Sequence, residues 1–159
     1  MFRLTFLALA ALFVVAASTS HGNTTGTIQA KKYYVVNEDR SFVGAMLGCR
    51  QAGLRLASIT NATEQLLLQV AIDNNNLINL SGYWIGGALE AYETYTYYWI
   101  ETGAEFIYKN WGYSQPQHDR RLLRSGLCVR AGNSYLVEEP YQWESINCNS
   151  KLYYICEES

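Results

Sequence analysis

The sequence predicts an α+β domain, and three patterns carry that prediction. Two segments with helical spacing of apolar residues come first, and a series of short strands rich in tyrosine and tryptophan follows them. Four cysteines, an even number, are typical of two disulfides in a secreted chain. Their positions alone leave three pairings open, and metal binding is disfavoured because no CxxC spacing is present.

The N-terminus has the form of a secretory signal peptide. Arg3 precedes an apolar run, Leu4 to Ala17, and small residues follow as far as Gly22. The run is shorter than the ~20 apolar residues that a membrane span needs. We therefore expect residues 1–22 to be removed, residues 23–159 to form one domain, and the product to be secreted and extracellular. The sequons agree with secretion and offer three glycosylation sites, Asn23, Asn61 and Asn79.

The first half of this domain predicts a strand from Lys32 to Val36 and a helix that Ser41 caps. Gly53 suits the position that ends this helix. Its predicted buried face contains four residues at helical spacing: Phe42, Ala45, Met46 and Cys49. We expect the disulfide of Cys49 to join this helix to a distant part of the chain.

A second helix is predicted to begin at Asn61, because Asn61 and Glu64 have the spacing of a capping box. A glycan on Asn61 would compete with that capping role. The predicted apolar face consists of Leu66, Leu67, Val70 and Ala71. The polar run from Asp73 to Asn76 ends the helix.

The second half of the domain is strand-like. Predicted strands lie at Tyr83–Ile85, Tyr95–Ile100, Phe106–Asn110, Leu127–Val129 and Tyr153–Ile155. Residues from Gly112 to Gly126 form a long polar loop of the kind that carries function. The four tryptophans are predicted to be core residues rather than sugar platforms: Trp84, Trp99, Trp111 and Trp143. The tyrosines from Tyr92 to Tyr98 are predicted to pack within a hairpin.

A series of motifs in a fixed order resembles the C-type lectin-like domain family over nearly the whole mature chain. The motifs are the helix with Cys49, Leu56-Ala-Ser-Ile, Trp84-Ile85-Gly86-Gly87, Trp99 with Gly103, Asn110-Trp111, Gln115-Pro116-Gln117, Cys128, Trp143, Cys148 and Tyr154-Ile155-Cys156-Glu157. The resemblance implies a lectin-like fold with two helices, short antiparallel sheets, a long ligand-binding loop and the disulfides Cys49–Cys156 and Cys128–Cys148. Small secreted single-domain lectins of insects look most similar in length and layout.

The resemblance also implies a calcium site that holds the sugar, because calcium takes 6–8 oxygen ligands and two can be sugar hydroxyls. The family builds the site around a triplet whose proline is typically cis, and Gln-Pro-Asp triplets go with galactose. Gln115 and Pro116 match that type, with Pro116 forming the loop. Gln117 replaces the carboxylate of the triplet with a neutral amide.

Two other positions depart from the family pattern. Gly126 stands where the family has a Glu two residues before a cysteine, and Glu144-Ser145 stands where it has Asn-Asp. Glu144 can bind calcium, whereas Ser145 is a poor substitute for a carboxylate. Because calcium affinity depends on ligand charge, the sequence favours a degraded calcium site over an intact one.

Charged residues near the loop offer alternatives. The acids that could compensate for the missing ligands are Asp119, Glu138 and Glu139. A basic patch could contact sulfated sugars, sialic acid or phosphate, unless it is simply solvated: Arg120, Arg121 and Arg124. His118 is interpreted as a surface loop residue.

The function classes narrow to binding. A single histidine in the mature chain and the absence of nucleophile-elbow, phosphate-loop and metalloprotease motifs argue against an enzyme. A net charge of −2 gives no reason to expect nucleic acid as a partner. The favoured function is a secreted lectin, galactose-leaning, that recognises microbial or cell-surface glycans in innate immunity. The alternative is a calcium-independent lectin-like domain that binds protein or anionic ligands in a secreted fluid.

Overall fold

The strands pair around the C-terminal segment of the chain. A computed structural model describes residues 30–75, 81–117, 126–132 and 141–158. In chain order its elements are β1 (Tyr33–Arg40), α1 (Phe42–Gln51), β2 (Arg55–Leu56), α2 (Ala62–Asp73), β3 (Tyr83–Glu90), β4 (Thr96–Trp99), β5 (Ala104–Glu105), β6 (Leu127–Ala131), β7 (Trp143–Asn147) and β8 (Leu152–Glu157). The strand β8 pairs antiparallel with β1 and β2 and parallel with β3. The strand β3 also pairs antiparallel with β4 and with β6. In turn β4 pairs with β5, and β6 pairs with β7.

The first helix forms as the local sequence predicts. The Ser41 hydroxyl accepts a hydrogen bond from Gly44 N (3.3 Å), which satisfies one of the free N–H groups of the first turn. Gly53 follows the helix with φ +73°, a left-handed conformation that glycine adopts without a steric penalty. Cys49 is fully buried and joined to Cys156 on β8, so this disulfide fixes α1 to the sheet.

The second disulfide joins the start of β6 to the segment after β7. Cys128 and Cys148 have Cα atoms 5.0 Å apart and lie 20 residues apart in the chain. Both disulfides that the family resemblance implied are therefore confirmed. Within the described residues no helix has the length and apolar character of a membrane span.

The predicted start of α2 is confirmed, but its predicted buried face is wrong. Asn61 Oδ1 accepts a hydrogen bond from Glu64 N (3.0 Å), and Glu64 Oε2 accepts one from Thr60 N (2.6 Å). The residues that face the core are Gln65, Leu68 and Ile72. Leu66 and Val70, which were predicted to be buried, are 61% and 54% exposed. The predicted conflict at Asn61 also disappears, because Oδ1 makes the cap and a glycan would be attached to Nδ2.

Two strand predictions need correction. Residues 106–110 form no regular strand, since β5 ends at Glu105 and the following chain passes over the tryptophan cluster. The strand β7, which the sequence did not predict, pairs along its full length with β6. Its register places Ser145 opposite Val129 and Glu144 opposite Arg130.

The described residues bury two hydrophobic clusters. One is an aromatic cluster in which Trp99 stacks on Phe106, with centroids 4.0 Å apart, and meets Trp143 edge to face at 5.4 Å. The other surrounds Trp84 and contains Cys49, Cys128 and Cys156. The prediction that the tryptophans are core residues is confirmed for Trp84, Trp99 and Trp143, whereas Trp111 is half-buried.

Candidate functional site

The Gln115-Pro116-Gln117 loop is fixed to β7 by backbone hydrogen bonds. Trp143 N donates to Asn110 O (2.7 Å) and Gly112 N donates to Trp143 O (2.9 Å). Gln115 N then closes a tight turn on Gly112 O (3.1 Å), and the Gln115–Pro116 peptide bond is cis. The loop therefore places the side chain of Gln115 directly against β7.

The side chain of Gln115 is hydrogen-bonded to Ser145 on β7. The amide oxygen Oε1 of Gln115 accepts hydrogen bonds from Ser145 N (3.0 Å) and from Ser145 Oγ (3.3 Å). The same hydroxyl accepts one from Gln117 N (2.7 Å). Ser145 is only 1% exposed, so these bonds lie in a place that water reaches poorly. The polar groups at the centre of the predicted site are thus already paired without an ion.

Tyr97 lies beside this pair. Burial raises the pKa of the Tyr97 hydroxyl, and the nearby Ser145 side chain opposes part of that rise. The Tyr97 ring packs against Trp111 with centroids 4.8 Å apart. Ser145 is therefore closed in by Gln115 on one side and by the aromatic cluster on the other.

The carboxylate of Glu144 lies on the opposite face of β7 from the Ser145 side chain that contacts Gln115. Successive side chains of a strand point to opposite faces, so Glu144 projects away from Ser145. Its Oε2 lies 2.6 Å from Nη2 of Arg130, and Arg130 Nη1 donates to Ser81 O (2.7 Å). Gly132 leaves room for this carboxylate, since a Cβ there would lie 2.5 Å from Glu144 Oε1. The acid that the sequence offered as a calcium ligand is instead neutralised by a cross-strand arginine.

The described residues do not fit a calcium ion at this loop. Gln115 Oε1 carries two hydrogen bonds, Gln117 and Ser145 carry no charge, and Glu144 is paired. Gly126, at the position of a family glutamate, has φ +76°, and a Cβ there would lie 3.1 Å from Cys148 Sγ. The backbone at this position thus disfavours any carboxylate side chain. In the described ranges no group of three or more His, Cys, Asp or Glu residues could hold a metal ion.

Several predicted residues lie outside the described residues, and their roles stay predictions. They are the compensating acids Asp119, Glu138 and Glu139, the arginines Arg120, Arg121 and Arg124, the loop residue His118, and the sequons at Asn23 and Asn79.

The structure adds a pocket that the sequence did not predict. It lies beside Pro116, has a volume of about 290 Å³, and is walled by Tyr95, Tyr97, Phe106 and Trp111. Glu105 and Lys109 also line it. The alternation of tyrosines before Trp99 is a sequence signal for this surface, although the same pattern also predicts packing within a hairpin. That interpretation holds for Tyr97, which is 6% exposed, and not for Tyr95, which is 56% exposed.

Comparison with known proteins places these features in a family. A model of the lectin C-type domain matches residues 38–158. The human C-type mannose receptor 2 is 30% identical over 148 residues, which are 91% of this chain but 9% of the receptor. Salivary C-type lectin 2 of Aedes albopictus is 26% identical over 131 residues, 79% of this chain and 82% of that protein.

Solved structures agree with this assignment. The mouse scavenger receptor C-type lectin carbohydrate-recognition domain is 25% identical, with a TM-score of 0.63 over 82% of this chain and 91% of that one. The family match agrees with the expectation of a lectin-type binding domain, and the mouse protein is described as a carbohydrate-recognition domain. The chain belongs to the C-type lectin domain family.

Proposed function

We propose that this chain is a secreted lectin that recognises galactose-type sugars on microbial or cell-surface glycans in innate immunity, and that it needs no calcium ion to do so. The observation that carries calcium independence is the pairing of Gln115 with Ser145. An ion at the loop would have to break hydrogen bonds to Gln115 Oε1 in a poorly hydrated place. Each is worth about 0.5–1.5 kcal/mol, and no carboxylate among the described loop residues repays that cost.

The sugar class rests on two residues. Gln115 and Pro116 match the galactose type of the family triplet, so the sugar class is an expectation carried by the resemblance and not by a contact of Gln115 with the sugar. Carbohydrate binding itself is supported by the relation to the scavenger receptor domain, which is described as a carbohydrate-recognition domain.

Secretion is supported by two independent features. The apolar segment from Leu4 to Ala17 has the form of a signal peptide. Two disulfides stabilise a small domain and persist in oxidising compartments. Expression of the full chain in animal cells should yield a product in the medium whose N-terminus lies near Gly22, and retention in the cells would contradict secretion.

A second candidate is binding of a protein or an anionic ligand. The observation that favours it is the exposure of large apolar side chains: Tyr92 and Ile107 are 94% exposed, and Tyr113, two residues before Gln115, is 88% exposed. Such side chains are typical of interaction surfaces when they cluster. The arginines at 120, 121 and 124 would add the charge that an anionic ligand requires.

A glycan array with the secreted protein, run in calcium and again in EDTA, separates these functions. We expect binding to galactose-terminated glycans that EDTA leaves unchanged. Loss of binding in EDTA would overturn calcium independence. Binding only to sulfated or sialylated glycans would favour the anionic alternative, and no glycan binding in either buffer would overturn the lectin function.

A further inference from the structure

The pocket beside Pro116 has the form of a preformed site. Its walls belong to the aromatic cluster, in which Trp111 meets Tyr97 at 4.8 Å and stacks with Phe106 at 5.9 Å. Phe106 and Tyr97 are 2% and 6% exposed, so the floor is held by the core and needs no rearrangement. Rigid aromatic surface of this kind loses little conformational entropy on binding.

Tyr95 is delivered to the rim of the pocket by an ordered turn. The carboxylate of Glu90 accepts hydrogen bonds from the backbone N–H groups of Tyr92 (2.7 Å), Glu93 (3.0 Å) and Thr94 (2.7 Å). Tyr95 follows with φ +52° and remains 56% exposed. The turn therefore holds the Tyr95 side chain at the edge of the pocket, where a ligand can contact it.

Glu105 and Lys109 give the pocket both an acceptor and a donor. Both residues are exposed, and neither makes an ion pair with the part of the chain that the structure describes. Their charges cancel, so the lining has no net preference for an anion or a cation. A carboxylate and an ammonium group can instead accept from and donate to neighbouring hydroxyls of one neutral molecule.

We propose that this pocket binds the ring of one neutral pyranose, with an apolar ring face against Tyr95 and Trp111 and its hydroxyls on Glu105 and Lys109. The volume of about 290 Å³ lies at the low end for ligand sites, which suits a single ring rather than a longer oligosaccharide. This inference rests on the proposed lectin function and locates it: the sugar sits next to Pro116, and Gln115 stays bonded to Ser145.

The test uses two rim variants with matched controls. Glu105→Gln and Lys109→Met each remove one charge from the pocket and keep the size of the side chain. Glu93→Gln and Lys151→Met remove the same charges at exposed positions that do not line it. The probes are the methyl glycosides of galactose, glucose, mannose and N-acetylglucosamine, titrated by NMR into each ¹⁵N-labelled protein in EDTA.

We expect at least one glycoside to bind the unaltered chain and to shift the amide signals of residues 95–97 and 105–109. Glu105→Gln and Lys109→Met should each raise its Kd about tenfold, since each loses a charge-assisted hydrogen bond. The controls should stay within about twofold, as expected for charges that touch no ligand. An unchanged amide spectrum without sugar will show that each variant is folded.

Two results would overturn the inference, and they differ. Glycoside binding that shifts only the amide signals of residues 115–117 and 144–145, with unchanged affinity in the Glu105 and Lys109 variants, would show that the sugar does not bind in the pocket. The proposed lectin function would still hold. If none of the four glycosides shifts an amide signal and no glycan on the array binds, both the sugar site in the pocket and the lectin function are overturned.

Discussion

Replacing Lys31 with methionine should destabilise the fold strongly, because its ammonium group completes a buried ionic cluster. Nζ of Lys31 lies 2.8 Å from Ser58 O, 3.1 Å from Glu64 Oε2 and 3.3 Å from Glu157 Oε2. The carboxylate of Glu157 is fully buried, and its other oxygen accepts hydrogen bonds from Arg55 Nε (2.7 Å) and Ser58 Oγ (2.8 Å). The cluster ties the entry to β1, the start of α2 and the end of β8 together.

The size of the effect follows from what remains after the substitution. Removing one partner of a buried ion pair costs about 3–5 kcal/mol when the other charge is left uncompensated. Arg55 still pairs with Glu157, and Lys31 is 24% exposed, so we expect about 2–3 kcal/mol. For a domain of this size, that loss lowers Tm by about 8–12 °C.

Lys32→Met is the matched control. Lys32 lies 3.7 Å from Glu158 in a pair whose side chains are 61% and 46% exposed, so its loss should cost less than about 0.5 kcal/mol. Urea unfolding under non-reducing conditions measures both variants against the unaltered chain, with the slope of the transition checked for constancy. Equal midpoints for Lys31→Met and Lys32→Met would refute the reasoning, because the buried cluster would then contribute no more than a surface pair.

The remaining predictions concern pH and calcium. Hydrogen bonds from the backbone of residues 92–94, that of Thr94 above all, lower the pKa of Glu90 to about 2. Because the folded pKa is depressed, the contribution of Glu90 is present above its unfolded pKa and is lost as pH falls through about 2. Stability should therefore fall less steeply below pH 4.5 in Glu90→Gln, and an NMR titration midpoint of Glu90 near 4.5 would contradict this. For calcium, Gln117→Asp combined with Ser145→Asp should create binding with a Kd of about 10⁻⁴–10⁻³ M by calorimetry, and should make Tm rise on addition of calcium. No heat and no rise in Tm would mean that charge is not the missing component.

The parts of the fold that sequence predicted well depend on local signals. The cap at Ser41, the glycine after α1 and the capping box at Asn61 each act within four residues, so they could be identified without knowing the fold. The buried face of α2 could not. Gln65 is buried because its amide accepts from Trp143 Nε1 (3.0 Å) and donates to Tyr141 O (3.3 Å), and both partners are more than seventy residues away.

In the candidate site, too, some features could be predicted from sequence and others depend on the three-dimensional structure. The Gln115-Pro116-Gln117 motif and its neighbour Ser145 were predicted, since the family resemblance fixes their positions along the chain. The pairing of Glu144 with Arg130 depends on the register of β6 against β7, and β7 itself was not predicted. A charge count can show that carboxylates are missing, but only the register shows that the remaining one is already paired.

The way the loop groups are paired matters more for calcium than the missing charge does. A site that keeps several carboxylates close together is destabilised by their repulsion until a cation arrives, and that repulsion helps to drive ion binding. Here Ser145 has replaced one carboxylate with a hydroxyl that bonds to Gln115 and to the backbone of Gln117. The loop therefore gains little from a cation and loses the hydrogen bonds that hold it to β7. The proposed sugar site therefore lies in the pocket beside Pro116, where aromatic side chains and the hydrogen-bonding groups of Glu105 and Lys109 line one cavity.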